Sequence, residues 1–403
     1  MTKINPDFIK KIPKADLHCH IDGSLRLSTL IELAKKEGVA LPAYTEAGLR
    51  QKVFKNKYKS LPEYLQGFNY TTAVMQRAEN IERIAFELGQ DAIAEGVRYL
   101  EARFAPQLHA NANLSAQQSV RAVARGLKKA AARHNQTAAV KTGKDVPFHF
   151  GIIACAMRSF NKHTSPYYKN LTEALGQSPK DEVFAIASLE LARTAVKLAK
   201  EEKLPVVGFD LAGEEAGYPA QDHAAAFRYA HKHFLRKTVH SGEAYGPESI
   251  FQAITECYAN RIGHGTHMFA AQMIKDKKVT GKQDYVNSLS DYIASQRIGV
   301  EVCLTSNLQT LPDIKSVRAH PVGQMIKRGL SISIATDNRL VSNTNVTKEL
   351  QLLARNIKLT PKEFKNIIVA GFKGAFFPGS NRQKRAFVRD VIKLYDKLAA
   401  DFT

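Results

Sequence analysis

Cysteine is scarce in this 403-residue chain: Cys19, Cys155, Cys257 and Cys303 lie far apart and form no C-x-x-C pair. Four such residues cannot staple a chain of this length, which excludes a disulfide scaffold and points to a reducing, cytoplasmic setting. Long apolar runs are missing as well. Nowhere do about 18 apolar residues follow one another, and residues 1–20 carry Lys3, Lys10, Lys11 and Lys14 with no apolar segment between them. Neither a membrane-spanning helix nor a secretory signal is therefore predicted. Acidic residues are few, with 38 Asp plus Glu against 58 Lys plus Arg and a formal charge of +20. Such a charge attracts anionic partners. The basic residues are nevertheless spread along the chain, with local clusters such as Arg382, Lys384 and Arg385, and are not interleaved with aromatic residues, so nucleic acid is not an expected partner. No G-x-S-x-G elbow, Walker loop or dinucleotide fingerprint after a strand-like run occurs, which removes serine-hydrolase, P-loop and nicotinamide chemistry.

What is present is the composition of a folded protein, 44% hydrophobic and 24% charged, in a chain long enough to bury a substantial core. Eight short β-type runs, at 15–21, 97–104, 148–157, 206–211, 237–240, 261–264, 299–304 and 331–336, alternate with stretches of helical period. Within 181–198, for example, Val183, Phe184, Ile186, Ala187, Leu191, Ala195 and Val196 share one helical face, and 247–257 opens with Pro247 in a first turn. Alternation of this kind predicts parallel strands joined by crossover helices. Eight repeats over this length fit the α/β class as a (β/α)8 TIM-type barrel better than a doubly wound sheet. Residues 41–80 form an insertion after strand 1 that is placed to act as a lid, 134–147 read as a polar surface loop, and 361–372 and 381–400 are additional helices outside the barrel. No linker, repeat or low-complexity tract divides the chain, so residues 1–403 are expected to form one domain.

Ionisable residues recur at the C-terminal ends of these runs, the end where barrels place active sites. His18 and His20, two apart on a strand, share a face and can turn toward one metal ion. Asp22-Gly23-Ser24 then makes a turn. A second pair, His231 and His233, falls in a helical, exposed context and reads as solvated. His240, in T-V-H-S-G-E, supplies a third ligand, with Glu243 three residues on as an acid. The alternative for these two is a hydrogen-bonded core histidine and a helix-capping glutamate, since the run leads into Pro247-Glu248. His264 lies between glycines that permit close approach; its alternative is a satisfied buried histidine, and His267 beyond it reads as a loop residue. Asp337 ends I-S-I-A-T-D, where apolar surroundings call for a charged partner or metal unless it caps the next helix. Three imidazoles and a carboxylate around an open position suit one Zn2+, which acidifies a bound water to a pKa of about 7. Hydrolysis follows, with His264 and Glu243 available as base or orienting group and as proton donor.

Seven blocks, K-A-D-L-H-C-H-I-D-G-S-L-R (14–26), D-L-A-G-E-E (210–215), H-S-G-E-A-Y-G-P-E-S-I (240–250), R-I-G-H-G (261–265), E-V-C-L-T-S-N-L-Q-T (301–310), A-H-P-V (319–322) and I-A-T-D-N (334–338), together resemble adenosine deaminases, metal-dependent amidohydrolases with (β/α)8 barrels. By that resemblance His18, His20, His240 and Asp337 match the zinc ligands, Glu243 the proton donor and His264 the histidine beside the reacting water. Asp22 matches the carboxylate that holds the ribose, Gly213 a backbone contact to the purine, and Asn338 an aspartate position that contacts purine N7. Many members read D-D-P where this chain reads Asp337-Asn338-Arg339. An Asn amide donates to N7 at any pH, so the contact is chemically compatible, while Arg339 in place of proline alters the rim. Leu211-Ala212-Gly213 replaces the lysine or other bridging ligand of two-metal relatives, which implies one ion per chain. The implied reaction is hydrolytic deamination of adenosine and 2′-deoxyadenosine in purine salvage, with adenine or a modified aminopurine as the alternative substrate. The implied partner is a small purine nucleoside. A non-enzymatic nucleic-acid-binding or growth-factor-like protein is the reading from another class.

Overall fold

A computed structural model describes residues 4–402, so Lys3 of the amino-terminal segment lies outside the described residues. Eight strands, β1 (Lys14–His20), β2 (Val97–Phe104), β3 (His149–Met157), β4 (Val206–Ala212), β5 (Arg236–Ser241), β6 (Arg261–His264), β7 (Gly299–Val302) and β8 (Ile332–Ile334), pair in parallel, each with the next in sequence. Beyond β8 the ring closes onto β1: Asp337 N donates to the His18 carbonyl and His20 N to the Asp337 carbonyl, both at 2.7 Å. The (β/α)8 expectation is met. Crossover helices such as Ala78–Ala94, Ala116–Asn135 and Lys180–Lys200 bury an apolar stripe against the strands. The helices Pro361–Gly374 and Asn381–Ala400 lie outside, each opened by a reciprocal capping box.

Several boundaries moved, 15–21 to Lys14–His20 and 331–336 to Ile332–Ile334 among them, and two further shifts have a local cause. The 299–304 run stops as a strand at Val302, because Cys303 opens the helix Leu304–Thr310, whose Thr305 backbone N–H is taken by Glu349 at 3.1 Å. In the 134–147 stretch, His134 and Asn135 finish the preceding helix and Ala138–Lys141 adds a short helix before the loop proper.

The 41–80 insertion folds into three short helices, Glu46–Lys52, Leu61–Leu65 and Phe68–Ala73. The first two are opened by side-chain caps from Thr45 and Ser60. Arg50 donates to the Leu340 carbonyl at 2.8 Å, Tyr58 to the Val341 carbonyl at 3.1 Å, and Tyr64 bonds Ser342 Oγ at 2.8 Å. These contacts hold the insertion over the segment following β8. It forms a roof.

Within the barrel, an ionic ladder occupies positions where apolar layers are the norm. Glu101, Arg103, Asp210 and Glu301 are fully buried and Arg261 nearly so. Arg103 spans Asp210 and Glu301, each at 2.8 Å, while Arg261 joins Glu301 at 2.5 Å and also pairs with Glu101. All four cysteines are buried and unpaired. Among the described residues no helix is long and apolar enough to cross a membrane.

Candidate metal centre and catalytic pocket

The ladder ends at histidines. Glu301 accepts from His18 Nδ1 at 2.8 Å, and Asp210 accepts from His240 Nδ1 at 3.2 Å. Burial alone raises the pKa of both carboxyl groups, but the Arg103 guanidinium, with Arg261 at Glu301 and His240 at Asp210, outweighs it and holds each well below the usual range. Both carboxylates are thus ionised, and they fix the two imidazoles with Nδ1 protonated and Nε2 facing the barrel mouth, the arrangement that metal-ligating histidines use.

At that mouth the free atoms converge. Ligand atoms of His18, His240, His264 and Asp337 lie within 4.8 Å of one another. His20 meets the same centre from β1, its Nε2 3.1 Å from His240 Nε2 and 3.6 Å from Asp337 Oδ1. The group whose ligand atoms all lie within 4.8 Å of one another thus includes His264, where the sequence reading named His18, His20 and His240 as the imidazole ligands. His18 Nε2 is buried without a hydrogen-bond partner, 3.6 Å from Asp337 Oδ1. An orphaned imidazole nitrogen, neighbouring imidazoles and a carboxylate are a donor set that fits a divalent cation with a preference for nitrogen and oxygen.

His264 and Asp337 both hold left-handed backbone, φ 64° and 59°, a conformation that costs a side-chain-bearing residue energy and recurs at active sites. Asp337 is held from behind by Ser306 Oγ. Burial raises its pKa, yet the His18 imidazole 3.6 Å away, followed by those of His264 and His20, keeps it well below the ordinary carboxylate range. His264 is pushed down to about 4, first by burial and then by His18, so its ring is neutral. Its tautomer can be traced. Val322 N–H donates to His320 Nδ1 at 3.1 Å, His320 Nε2 donates to Asn307 Oδ1 at 3.2 Å, and Asn307 Nδ2 donates to His264 Nδ1 at 3.1 Å. His264 Nε2 consequently carries the proton, 3.6 Å from Glu243 Oε1.

Glu243 follows β5 on a loop cradled by Glu215. Glu215 Oε1 accepts the Gly242 N–H at 3.0 Å, and its Oε2 accepts those of Glu243, Ala244 and Tyr245 at 2.9, 2.6 and 3.0 Å. Burial, opposed by His240 and reinforced by Asp337 and Glu215, raises the Glu243 pKa to about 7.

His20, His240, Glu243, His264 and Asp337 line a pocket of about 1,120 Å3, large enough for a nucleoside. Asp22, 2% exposed, reaches it with Oδ1 unpartnered, and burial raises its pKa to about 7. Gly213 lines it at φ 103°, backbone that suits only glycine. Tyr64, Leu61 and Phe68 of the insertion roof it. Asn338 lines the pocket too, but its amide nitrogen already contacts Tyr64 Oη and Asp337 Oδ1, both at 2.8 Å; a contact to purine N7 requires one of these to give way. Gly23 beneath it is obligatory, since a Cβ there would come within 1.9 Å of Asn338 Oδ1. Arg339 turns away from the pocket and pairs with Glu95, so it does not shape the rim as the sequence suggested. His231 stacks on Tyr258 and His233 Nδ1 contacts the Tyr229 carbonyl, both away from the pocket, and His267 contacts Asp313.

Residues 13–394 match the family model described as adenosine deaminase. The chain belongs to the adenosine deaminase family. It is 34% identical over 392 residues to adenosine deaminase 1 of Streptomyces coelicolor, covering 96% of this chain and 88% of that protein. It is 32% identical to the adenosine deaminase of Clostridium kluyveri, with 96% and 94% covered. Among solved structures, an adenine deaminase from Arthrobacter aurescens superposes with a TM-score of 0.71 at 20% identity over 95% of this chain and 98% of that one. The N6-methyl-AMP deaminase of Arabidopsis thaliana gives 0.71 at 24% identity over 98% and 100%. At these identities the two structures share the barrel fold with the family member described above.

Proposed function

We propose that this adenosine deaminase family member hydrolyses adenosine and 2′-deoxyadenosine to inosine and deoxyinosine with release of ammonia, as a purine-salvage enzyme of the cytoplasm, and that it uses one Zn2+. The observation that carries this reading is the convergence of His18, His240, His264 and Asp337, with His20 Nε2 3.1 Å from His240 Nε2, beside Glu243, a carboxylic acid whose pKa stands at about 7. His18, His20, His240 and Asp337 would hold the ion. When bound, it supplies an acidified water with a pKa of about 7. Asp337 accepts a proton from the attacking water, and His264, with its proton on Nε2, orients that water by donating to it. The water adds to C6 while Glu243 gives its proton to N1; the proton held by Asp337 passes to the amine, which leaves as ammonia as the C6–N bond breaks, and the C6 hydroxyl returns a proton to Glu243 as it becomes the carbonyl. Asp22 accepts from a ribose hydroxyl, Gly213 lets its backbone approach the purine, and Asn338 faces N7.

Ammonia release measured on adenosine, 2′-deoxyadenosine, adenine, N6-methyladenosine and AMP, with and without chelator, tests the assignment. Adenosine and its deoxy form are expected to be fastest, and chelation is expected to abolish turnover. Full activity after metal removal would overturn the zinc reading. Metal analysis is expected to give one tightly held ion per chain, since β4 ends in Leu211-Ala212-Gly213 with no bridging side chain; two tightly held ions would contradict it.

Exposed Lys162 and Lys169 also line the pocket and attract phosphate, but solvent and salt screen them. Asp22 is buried and keeps its effect. Substituting Asp22→Ala is expected to raise KM for adenosine by about 10- to 100-fold, the effect of losing one charged hydrogen bond, and to leave adenine nearly unchanged. Equal losses on the two substrates, or equal efficiency of the unaltered protein on AMP and adenosine, would reassign Asp22.

A further inference from the structure

The opposite end of the barrel carries a second cavity, of about 990 Å3, that deamination does not use. It opens around the turns that enter β4, β5, β6 and β7. Lys200, Arg236, Arg261, Arg297, Lys373 and Lys384 line it with His231 and His233, and no Asp or Glu does. Arg261 is neutralised within the ladder by Glu101 and Glu301. By contrast, Lys200, Arg236, Arg297 and Lys373 have no carboxylate partner among the described residues. The crowding of like charge is felt locally: burial and then Arg236 push Lys237 down to about 8, and Arg236 also contributes to the lowered pKa of Lys384.

Aromatic rings stand among these cations. Phe234 is 89% exposed, with the Lys200 ammonium 5.8 Å from its ring centroid. Tyr258, 37% exposed, stacks on His231 at 4.5 Å between centroids and 13° between planes, and half-exposed Tyr292 lines the same cavity.

The backbone adds an independent observation. The turns into β2 and β8 use Gly96 and Gly329 in the left-handed region, whereas the four successive turns into β4–β7 place Lys203 (φ 54°), Phe234 (φ 63°), Tyr258 (φ 53°) and Arg297 (φ 54°) there. Glycine satisfies such helix-ending turns without strain. Each of the four instead carries a cation or an aromatic ring in a conformation that disfavours it, and three of the four line the cavity.

We propose that this cavity binds single-stranded nucleic acid, with phosphates on Lys200, Arg236, Arg297 and Lys373 and bases stacked on Phe234 and on the Tyr258–His231 pair. Stacking faces interspersed with cations accept any base and follow a charged backbone. A free mononucleotide would need only one ring and one phosphate cluster. The sequence scatters these residues over 200–384, which is why its reading expected no nucleic acid; the fold gathers them on one end of the barrel.

The test uses the metal-loaded full chain and a fluorescein-labelled oligothymidylate of about 15 nucleotides, long enough to span a groove of this kind and free of adenine, so that the catalytic pocket takes no part. Fluorescence anisotropy is expected to show binding that weakens as salt rises. Unlabelled single strand should compete at least about tenfold better than duplex, dextran sulfate or thymidine monophosphate, since only it offers both bases and phosphates. The Phe234→Gly substitution removes the ring and relieves its turn, so Tm should be unchanged or higher while affinity falls about tenfold, within the range for one lost stack. Paired Lys200→Glu and Arg236→Glu substitutions should abolish binding, and adenosine turnover should be unaltered in every variant. Absence of binding at low salt, equal competition by duplex, dextran sulfate or mononucleotide, or unchanged affinity of the Phe234→Gly protein would each overturn the proposal.

Discussion

Replacing Glu243 with glutamine is expected to lower kcat for adenosine by about 10²- to 10⁴-fold, the range lost when a general acid is removed, with metal content and nucleoside binding little changed. Glutamine keeps the shape, and the loop amides remain held by Glu215, but an amide has no proton to give to N1. The pH dependence is signed. Burial raises the Glu243 pKa from 4.5 to about 7, so the donor form is depleted as pH rises through that value, and kcat/KM should fall on the alkaline side. That limb should vanish in the glutamine protein. Stability carries the same sign, because a carboxyl group whose folded pKa lies above its unfolded value contributes fully below the unfolded pKa and progressively loses that contribution toward the folded one. Metal-free protein should therefore soften between about pH 4.5 and 7, and Glu243→Gln should reduce the softening. Steady-state kinetics over pH and thermal melts of stripped protein check both. A variant with near-normal turnover would assign the acid role elsewhere.

Arg103→Met is expected to destabilise the protein by about 3–5 kcal/mol at neutral pH, because it leaves buried Asp210 without its guanidinium and takes from Glu301 one of its two, Arg261 being the other. Asp210 and Glu301, each 2.8 Å from the guanidinium, would remain. The Leu17 carbonyl, which accepts from the same guanidinium at 2.6 Å, would lose its donor as well. Both carboxyl groups have depressed pKa values in the intact protein, so their contribution is present above the unfolded pKa of about 4 and is lost as pH falls below it. The gap between variant and unaltered protein should thus narrow in acid. Since these carboxylates also orient His18 and His240, metal affinity should drop about 10- to 100-fold, as for other losses of support behind a ligand. Urea unfolding at neutral and acid pH, with competitive metal titration, checks the pair of effects. A variant within about 1 kcal/mol of the unaltered protein, the typical contribution of a single hydrogen bond, would show that the ladder carries little of the fold's stability.

The alternation of strand and helix was legible because each unit is local: 97–104 and 261–264 coincide with β2 and β6, and the outer helix 381–400 coincides with Asn381–Ala400. Ends were lost where a polar helix follows a strand directly, as at Cys303, since T-S-N-L-Q-T carries no apolar period. The residues singled out at strand ends do meet in one pocket. What the sequence hid was their support. Glu101, Arg103, Asp210 and Glu301 are charged residues inside apolar strands, a visible sign that each needs a partner. Their pairings, however, cross 107 positions for Arg103 with Asp210 and 198 for Arg103 with Glu301, and only barrel closure decides them. Glu215, Asn307 and His320 lay within recognisable blocks, but their tasks depend on which atoms face which.

Asn307 has a consequence that residue type alone conceals. From Val322 through His320 and Asn307 to His264, every link points the same way, and the amide is the one member whose two ends differ in kind. It works as a polarity marker. An acid of the same shape would present acceptors at both ends and reverse the ring of His264, turning a donor toward the protein and a lone pair toward the pocket. Burial holds His320 down to about 3 and His264 to about 4, so neither ring gains a second proton near neutrality to scramble the order. A main-chain N–H, which cannot reverse, thereby dictates from a helix end which nitrogen of a distant imidazole offers a proton to the pocket.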